Sequence, residues 1–278
     1  MLRIFVLVLL FFIRLTIAAQ DNSIMLAAYR TDSTAFPRFH INSIGTGQQT
    51  LRDPLLSTLR YNGVALGYLF NTQKYKPKFL TNSLLSLHLN LLTNQSTGAL
   101  IVDMGGSYSY GMLKKIKSFS NNNRSLYVGG MAELVYNFRL AINNTNNVYA
   151  YDGVLSSGAT GIYQQRFKMF GREFMISDQL DLPLLSLVSR PPYAWSYPLF
   201  FEETGKFSDA LQFGSWNKYF KVKNQIMLDF YTNVKHKRKK IGKTAWRLTY
   251  SWEYFQIPQL NKVQSGATQI YIGKIIKF

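Results

Sequence analysis

Apolar and polar positions alternate along most of this chain, and each alternating run predicts a β-strand with one oily and one hydrophilic side. In 125–142, Leu126, Val128, Ala132, Leu134, Tyr136, Phe138, Leu140 and Ile142 oppose Ser125, Gly129, Glu133, Asn137 and Arg139. In 83–94, Leu85, Leu87, Leu89 and Leu91 oppose Ser86, His88 and Asn90. Segment 99–112 sets Leu100, Val102, Met104, Tyr108, Tyr110 and Met112 against Asp103, Gly105, Ser107, Ser109 and Gly111. Segment 244–255 sets Trp246, Leu248, Tyr250, Trp252 and Tyr254 against Arg247, Thr249, Ser251 and Glu253. Weaker runs at 23–31, 57–71, 154–170, 174–188, 217–233 and 264–278 bring the expected number to ten, with eight or twelve as alternatives and 205–216 as a candidate further piece. Gln165 and Asp178 fall on the apolar faces of 154–170 and 174–188, which predicts a phase-resetting bulge in each.

The length of the alternation separates two architectures. Strands of a soluble β-sandwich run about five to six residues. A tilted strand crossing a bilayer needs about 9–11, with aromatic girdles at both interfaces and a polar interior. The runs here are long and carry aromatics toward their ends, so the pattern predicts an all-β, antiparallel, up-and-down transmembrane barrel. A soluble periplasmic sandwich that binds a ligand is the all-β alternative.

The first residues are of a different kind. Met1-Leu2-Arg3, the apolar run Ile4 to Ile13 and the small residues Ala18-Ala19 have the order of a secretory signal peptide cleaved after Ala19. Arg14 interrupts the apolar run before it reaches the ~20 residues of a spanning helix. The expected organisation is a signal peptide at 1–19, an N-terminal segment at 20–56 with the first strand and its loop, and the barrel at 57–278.

Composition narrows the chemistry. The chain of 278 residues has no Cys, three His (His40, His88, His236) and a formal net charge of +18. That excludes disulfides and thiolate chemistry and leaves a multi-histidine metal site improbable on numbers alone. No phosphate loop, metal-ligand spacing or dinucleotide fingerprint occurs, so no cofactor is expected. Among inward positions, His88, Asp103, Glu133, Arg139, Arg166, Asp181, Lys221, Asp229, Arg247 and Glu253 form the expected polar lumen, with carboxylates paired to cations. An enzyme acting on lipid or envelope through His88 is the alternative reading. No Ser sits two residues beyond His88, where the His-x-Ser pattern of outer-membrane phospholipases would place it.

The closing strand ends in QIYIGKIIKF, and Tyr271, Gly273, Ile276 and Phe278 resemble the C-terminal aromatic signal read by the barrel-assembly machinery. With the 158–188 hairpin and Pro191-Pro192-Tyr193, they make the chain similar to an uncharacterised family of Gram-negative outer-membrane β-barrel proteins. The resemblance implies fold and outer-membrane location, and no activity.

If ten strands run up and down from a periplasmic start, the connections 72–82, 113–124, 171–173 and 234–243 face the periplasm. They hold fourteen Lys and Arg, with Glu173 the lone acid, and include the basic rim Lys235, Lys237, Arg238, Lys239 and Lys240. The outer connections 32–56, 95–98, 143–153, 189–216 and 258–263 carry five cations and six acids. The basic face reads first as an anchor on an anionic leaflet surface and second as a dock for an acidic periplasmic partner. Nucleic acid is not expected of an exported chain. The outer loop 189–216 gathers Tyr193, Trp195, Tyr197, Phe200 and Phe201, as a lid on the rim or a sugar-stacking surface. The expectation is a monomer in outer-membrane lipid, non-enzymatic, with a structural or interaction role or a narrow pathway for small solutes.

Overall fold

Hydrocarbon offers backbone N–H and C=O groups no partner, so strands that cross a bilayer must close into a ring. The computed structural model closes that ring. It describes residues 38–119, 123–142, 148–170, 172–190, 211–232, 244–258 and 262–277. The strands are β1 (Arg38–Asp53), β2 (Ser57–Tyr75), β3 (Phe79–Thr93), β4 (Leu100–Phe119), β5 (Arg124–Ala141), β6 (Tyr149–Met169), β7 (Arg172–Ser189), β8 (Leu211–Gly214), β9 (Phe220–Thr232), β10 (Thr244–Ile257) and β11 (Val263–Lys277). Each long strand pairs antiparallel with its sequence neighbour, and β1 pairs with β11 to shut the barrel. β8 and β9 lie on the same side of β7 and run in the same direction, so they are halves of one broken strand. The wall therefore has ten staves.

The side-chain pattern is that of an outer-membrane-type barrel. Leu87, Leu89, Leu91, Leu134, Tyr136, Leu155 and Ile272 are exposed on the outside, whereas Asp103, Glu133, Arg139, Lys221, Asp229 and Arg247 are buried within. Aromatic pairs sit at both rims of the outer wall. Phe138–Tyr149 and Phe220–Tyr254 lie at one end, with ring centroids 6.1 and 6.2 Å apart, and Phe167–Phe174 at the other, 5.5 Å apart. The end where β1 begins and β11 ends is called the base, the opposite end the mouth.

Two features close the wall tightly. Tyr271 of β11 is buried inside and lies across Gly45 of β1 and Gly67 of β2. A Cβ at either glycine would come within 2.3–2.5 Å of its ring or hydroxyl, so only glycine admits the tyrosine there. The second feature is a matched irregularity. Pro183 has no N–H to give the β6–β7 ladder, and the register shifts between Ser157 and Gly158, leaving Leu184 of β7 as the extra residue. Opposite it, residues 215–219 loop out between β8 and β9. Trp216 Nε1 donates to the Pro183 carbonyl at 2.7 Å and Ser215 Oγ to the Leu184 carbonyl at 2.6 Å, replacing lost ladder bonds.

Several expectations are corrected here. The first described strand is β1, inside the stretch 32–56 expected to be an outer connection. The expected strand 23–31 lies outside the described residues. Alternation does not mark β1 because its outward face is polar: His40, Asn42, Thr46, Gln48, Thr50 and Arg52 accompany Ile44 alone. The predicted bulge in 174–188 exists, but at Leu184 and not because of Asp178. That residue faces outward, where its carboxylate accepts a hydrogen bond from Asn224 Nδ2 at 2.6 Å. No bulge lies at Gln165, for β6 runs in unbroken register along β5. Its side chain is instead covered on the wall and accepts from the Tyr163 hydroxyl at 3.1 Å.

Candidate functional site

The inward faces of the staves meet in the middle of the barrel, and their polar groups form three clusters. Near the mouth, Arg139 of β5 is fully buried among three carboxylates. Its Nη1 lies 3.0 Å from Asp53 and its Nε 3.2 Å from Asp103, and it also pairs with Asp152. Arg190, just past β7, reaches Asp152 at 3.1 Å and pairs with Asp53. Three aspartates thus share two arginines. Gln49 and Asn90 each donate to Asp103, at 2.9 and 3.0 Å, and His88 Nε2 stands 3.6 Å from the same carboxylate. In the middle, Lys221 is 2.9 Å from Glu133 and 3.4 Å from Glu253, with Lys223 3.9 Å from Glu253. Toward the base, Arg247 grips Asp229 through two bonds of 2.6 and 2.8 Å, a bidentate arrangement.

An amide chain completes the lower lumen. Asn71 donates to Asn82 at 2.8 Å, and Asn82 to Gln179 at 3.0 Å. Gln179 donates to both oxygens of Asp181 at 3.0 Å, and Thr160 to Oδ1 of the same carboxylate at 2.6 Å.

Apolar side chains fill what the polar clusters leave. Leu55 and Leu56, from the tight β1–β2 turn, fold into the mouth against Leu51, Tyr61, Leu92, Ile101, Val188, Tyr219, Ile257 and Val263. At the base, Leu80, Leu113, Tyr127 and Ile162 form one inner cluster and Ile41, Ala245 and Ile275 another. Between them remains a cavity of about 60 Å³ lined by Gln49, His88, Asn90, Asp103, Lys221, Lys223 and Glu253, among others. That is room for a few waters. Asn90 Oδ1, on the cavity lining, has no hydrogen-bond partner among the described residues, and water suits it. Among the described residues no group of His, Asp and Glu is arranged to hold a metal ion.

The structure places the expected lumen residues as follows. Asp103, Glu133, Arg139, Asp181, Lys221, Asp229 and Arg247 are buried inside, while His88 and Glu253 are partly open to the cavity. Arg166 is half-buried near the base. Three members of the mouth cluster, Asp53, Asp152 and Arg190, belong to segments that the pattern predicts as outer connections. Their two-residue spacing was the available signal. Asp53 continues Gln49 and Leu51, Asp152 precedes Val154 and Ser156, and Arg190 follows Ser186 and Val188 on the inward face. Of the closing-strand residues, Tyr271 and Gly273 point inward and Ile276 outward. The loop aromatics Tyr193, Trp195, Tyr197, Phe200 and Phe201, the rim Lys235, Lys237, Arg238, Lys239 and Lys240, and Phe278 lie outside the described residues.

Solved structures similar to the chain include the translocator domain of the autotransporter NalP from Neisseria meningitidis. It is 8% identical, with 90% of this chain and 92% of that one covered, at a TM-score of 0.37. The transport unit of the autotransporter AIDA-I from Escherichia coli is 9% identical, covering 92% and 94%, at 0.40. An outer membrane channel from Pseudomonas putida F1 is 7% identical, covering 90% and 98%, at 0.35. No curated protein matches the chain. A family model does, over residues 2–275, and the chain accordingly belongs to DUF3316, a family of proteins of unknown function.

Proposed function

We propose that this protein is a non-conducting, non-enzymatic barrel of the Gram-negative outer membrane, with a structural or interaction role exercised by its rims and outer wall. The observation that carries this reading is the filling of the lumen at both ends: Leu55, Leu56 and Tyr219 at the mouth, and Leu80, Leu113, Tyr127 and Ile162 at the base. A solute path would have to displace the ion clusters as well. Removing one partner from a buried pair costs about 3–5 kcal/mol, so thermal opening of such a plug is rare. His88 borders only the small inner cavity, away from lipid and envelope substrates, which favours a positioning role beside Asp103 over catalysis.

The base supplies the interaction. Lys74, Lys76, Lys78, Lys114, Lys115, Lys168 and Arg172 collect at this end. Facing the periplasm, they would hold the rim against an anionic leaflet surface, at roughly 1 kcal/mol per cation. The closing strand beside β1 is the part that the assembly machinery would read. The refolded protein in a planar bilayer tests the central reading. The expected record is flat at applied voltage; steady unitary current steps would overturn it.

A further inference from the structure

The outward face of β1 does not suit hydrocarbon. Asn42, Thr46 and Gln48 are exposed there, and the cross-strand neighbours of Thr46 and Gln48 place those two within the apolar band and not at a rim. Thr46 is in register with Leu66 of β2 and Ile270 of β11, and Gln48 with Val64 and Thr268. Those neighbours lead on to Leu89 and Leu91 of β3 on one side and to Tyr250 and Trp252 of β10 on the other. A polar stripe about one stave wide, interrupted by Ile44 and joined by Thr268, thus runs down the wall between the oily mid-sections of its flanking staves. The Tyr68 hydroxyl donates to Asn42 at 2.8 Å, and Thr50 donates to Asn62 at 2.7 Å. The side-chain amide of Gln48 has no hydrogen-bond partner among the described residues. Lipid tails supply none, and an open amide in that environment is costly.

We propose that a second copy of this chain covers the stripe, so that the barrel is a two-fold dimer in the membrane through β1 and the adjoining edge of β11. Both copies must enter the bilayer the same way up, so the two-fold axis stands along the membrane normal. Residues at equal depth then face one another. Such a contact accepts only side chains that complement themselves. Asn, Gln and Thr meet that demand because each carries a donor and an acceptor, whereas a run of charge would face its own image. The stripe between Asn42 and Thr50 holds no charged residue on β1. Thr46, Thr268 and Gly266 are small enough to let two walls approach closely, as interfaces within membranes require. Lys274, in register with Asn42 at the stripe's lower edge, has a stem long enough to carry its ammonium toward the base rim. This inference replaces the expected monomer. It rests on the bilayer location and is independent of whether the lumen conducts.

The absence of cysteine makes the test clean. Gln48→Cys and, as a control two staves away, Leu89→Cys are expressed singly, and intact membranes are treated with a thiol oxidant. Folding of each variant is checked by its heat-dependent gel migration. Gln48→Cys is expected to yield a reducible band at about twice the monomer mass, and Leu89→Cys at most a trace of it. Equal cross-linking of the two overturns the proposal, and so does an adduct of Gln48→Cys at another mass, which would assign the stripe to a different protein. The double variant Thr46→Val/Gln48→Leu, which removes the middle of the stripe without threatening the ring, is expected to lower chemical cross-linking of the dimer at least several-fold. Unchanged cross-linking in that variant also overturns the proposal.

Discussion

β5 and β1 are staves of the same ring, similar in length and fully paired on both sides, yet they look unrelated as sequence. β5 keeps an oily outer face, with Val128, Leu134 and Tyr136 exposed, over an inner face where Glu133, Asn137 and Arg139 are buried among Met131 and Val135. β1 has Ile41, Ser43, Gln49, Leu51 and Asp53 inside and a mostly polar outside. Both form because neighbouring strands satisfy their backbones, which is a demand of the ring and not of the side chains. Oily–polar alternation therefore reports contact with lipid rather than strand formation. Where it fails within a closed barrel, the polar group either has a partner of its own on the wall, as Asp178 has in Asn224, or points to a neighbour other than lipid.

The largest effect expected from this comparison lies on the inside of β5. Arg139→Met leaves Asp53 and Asp152 with Arg190 alone and Asp103 with no arginine, and buried carboxylates short of cations repel one another. Loss of about 3–5 kcal/mol is expected in urea titrations of the vesicle-refolded protein. Adding Asp103→Asn to that variant removes one of the repelling charges and restores part of the loss. A cost below about 0.5 kcal/mol for Arg139→Met, the range of ordinary surface changes, would mean that the mouth cluster is solvated and the plug is open.

On the outside the two staves are expected to diverge. Leu134→Arg puts a charge on the lipid face of β5 and costs about 2–4 kcal/mol at the bilayer midplane. Gln48→Leu on β1, measured in dilute detergent, leaves stability within about 0.5 kcal/mol of the parent, since it removes a polar group that the monomer does not pair. Should Gln48→Leu cost as much as Leu134→Arg, the outward face of β1 would be bonded within the monomer and the contrast would collapse.

The same contrast explains what could be read in advance. Staves such as β3, β4, β5 and β10 were legible because their outer faces meet lipid and their inner faces meet one another. Asp103, Glu133, Arg139, Lys221, Asp229 and Arg247 followed from parity alone. Parity could not supply partners, because Lys221 and Glu133 approach across the lumen from staves 88 residues apart in sequence. Asp53, Asp152 and Arg190 were lost because each sits at the last inward step of a stave or just beyond it, where a strand end and a loop look alike in sequence. Asp178 misled because a carboxylate on the outer wall violates the pattern, and its bond to Asn224 joins two strands not adjacent in sequence. The true phase change was written at Pro183, which cannot donate to a ladder and so marks an irregularity in any strand.

That irregularity yields the smallest expected effect. Trp216→Phe keeps most of the ring's packing but withdraws the Nε1 donor from the Pro183 carbonyl, bonded at 2.7 Å. A neutral hydrogen bond contributes about 0.5–1.5 kcal/mol, and a comparable loss in urea stability is expected. The structural consequence is local. β7 holds β8 above the break and β9 below it, so the backbone amides of Leu211–Gly214 should exchange with deuterium faster in the variant, while those of β5 and of β1 remain as protected as in the parent. Faster exchange spread over the whole ring would instead show that the wall opens as one unit. The break between β8 and β9 would then be a detail of its shape rather than its weakest seam.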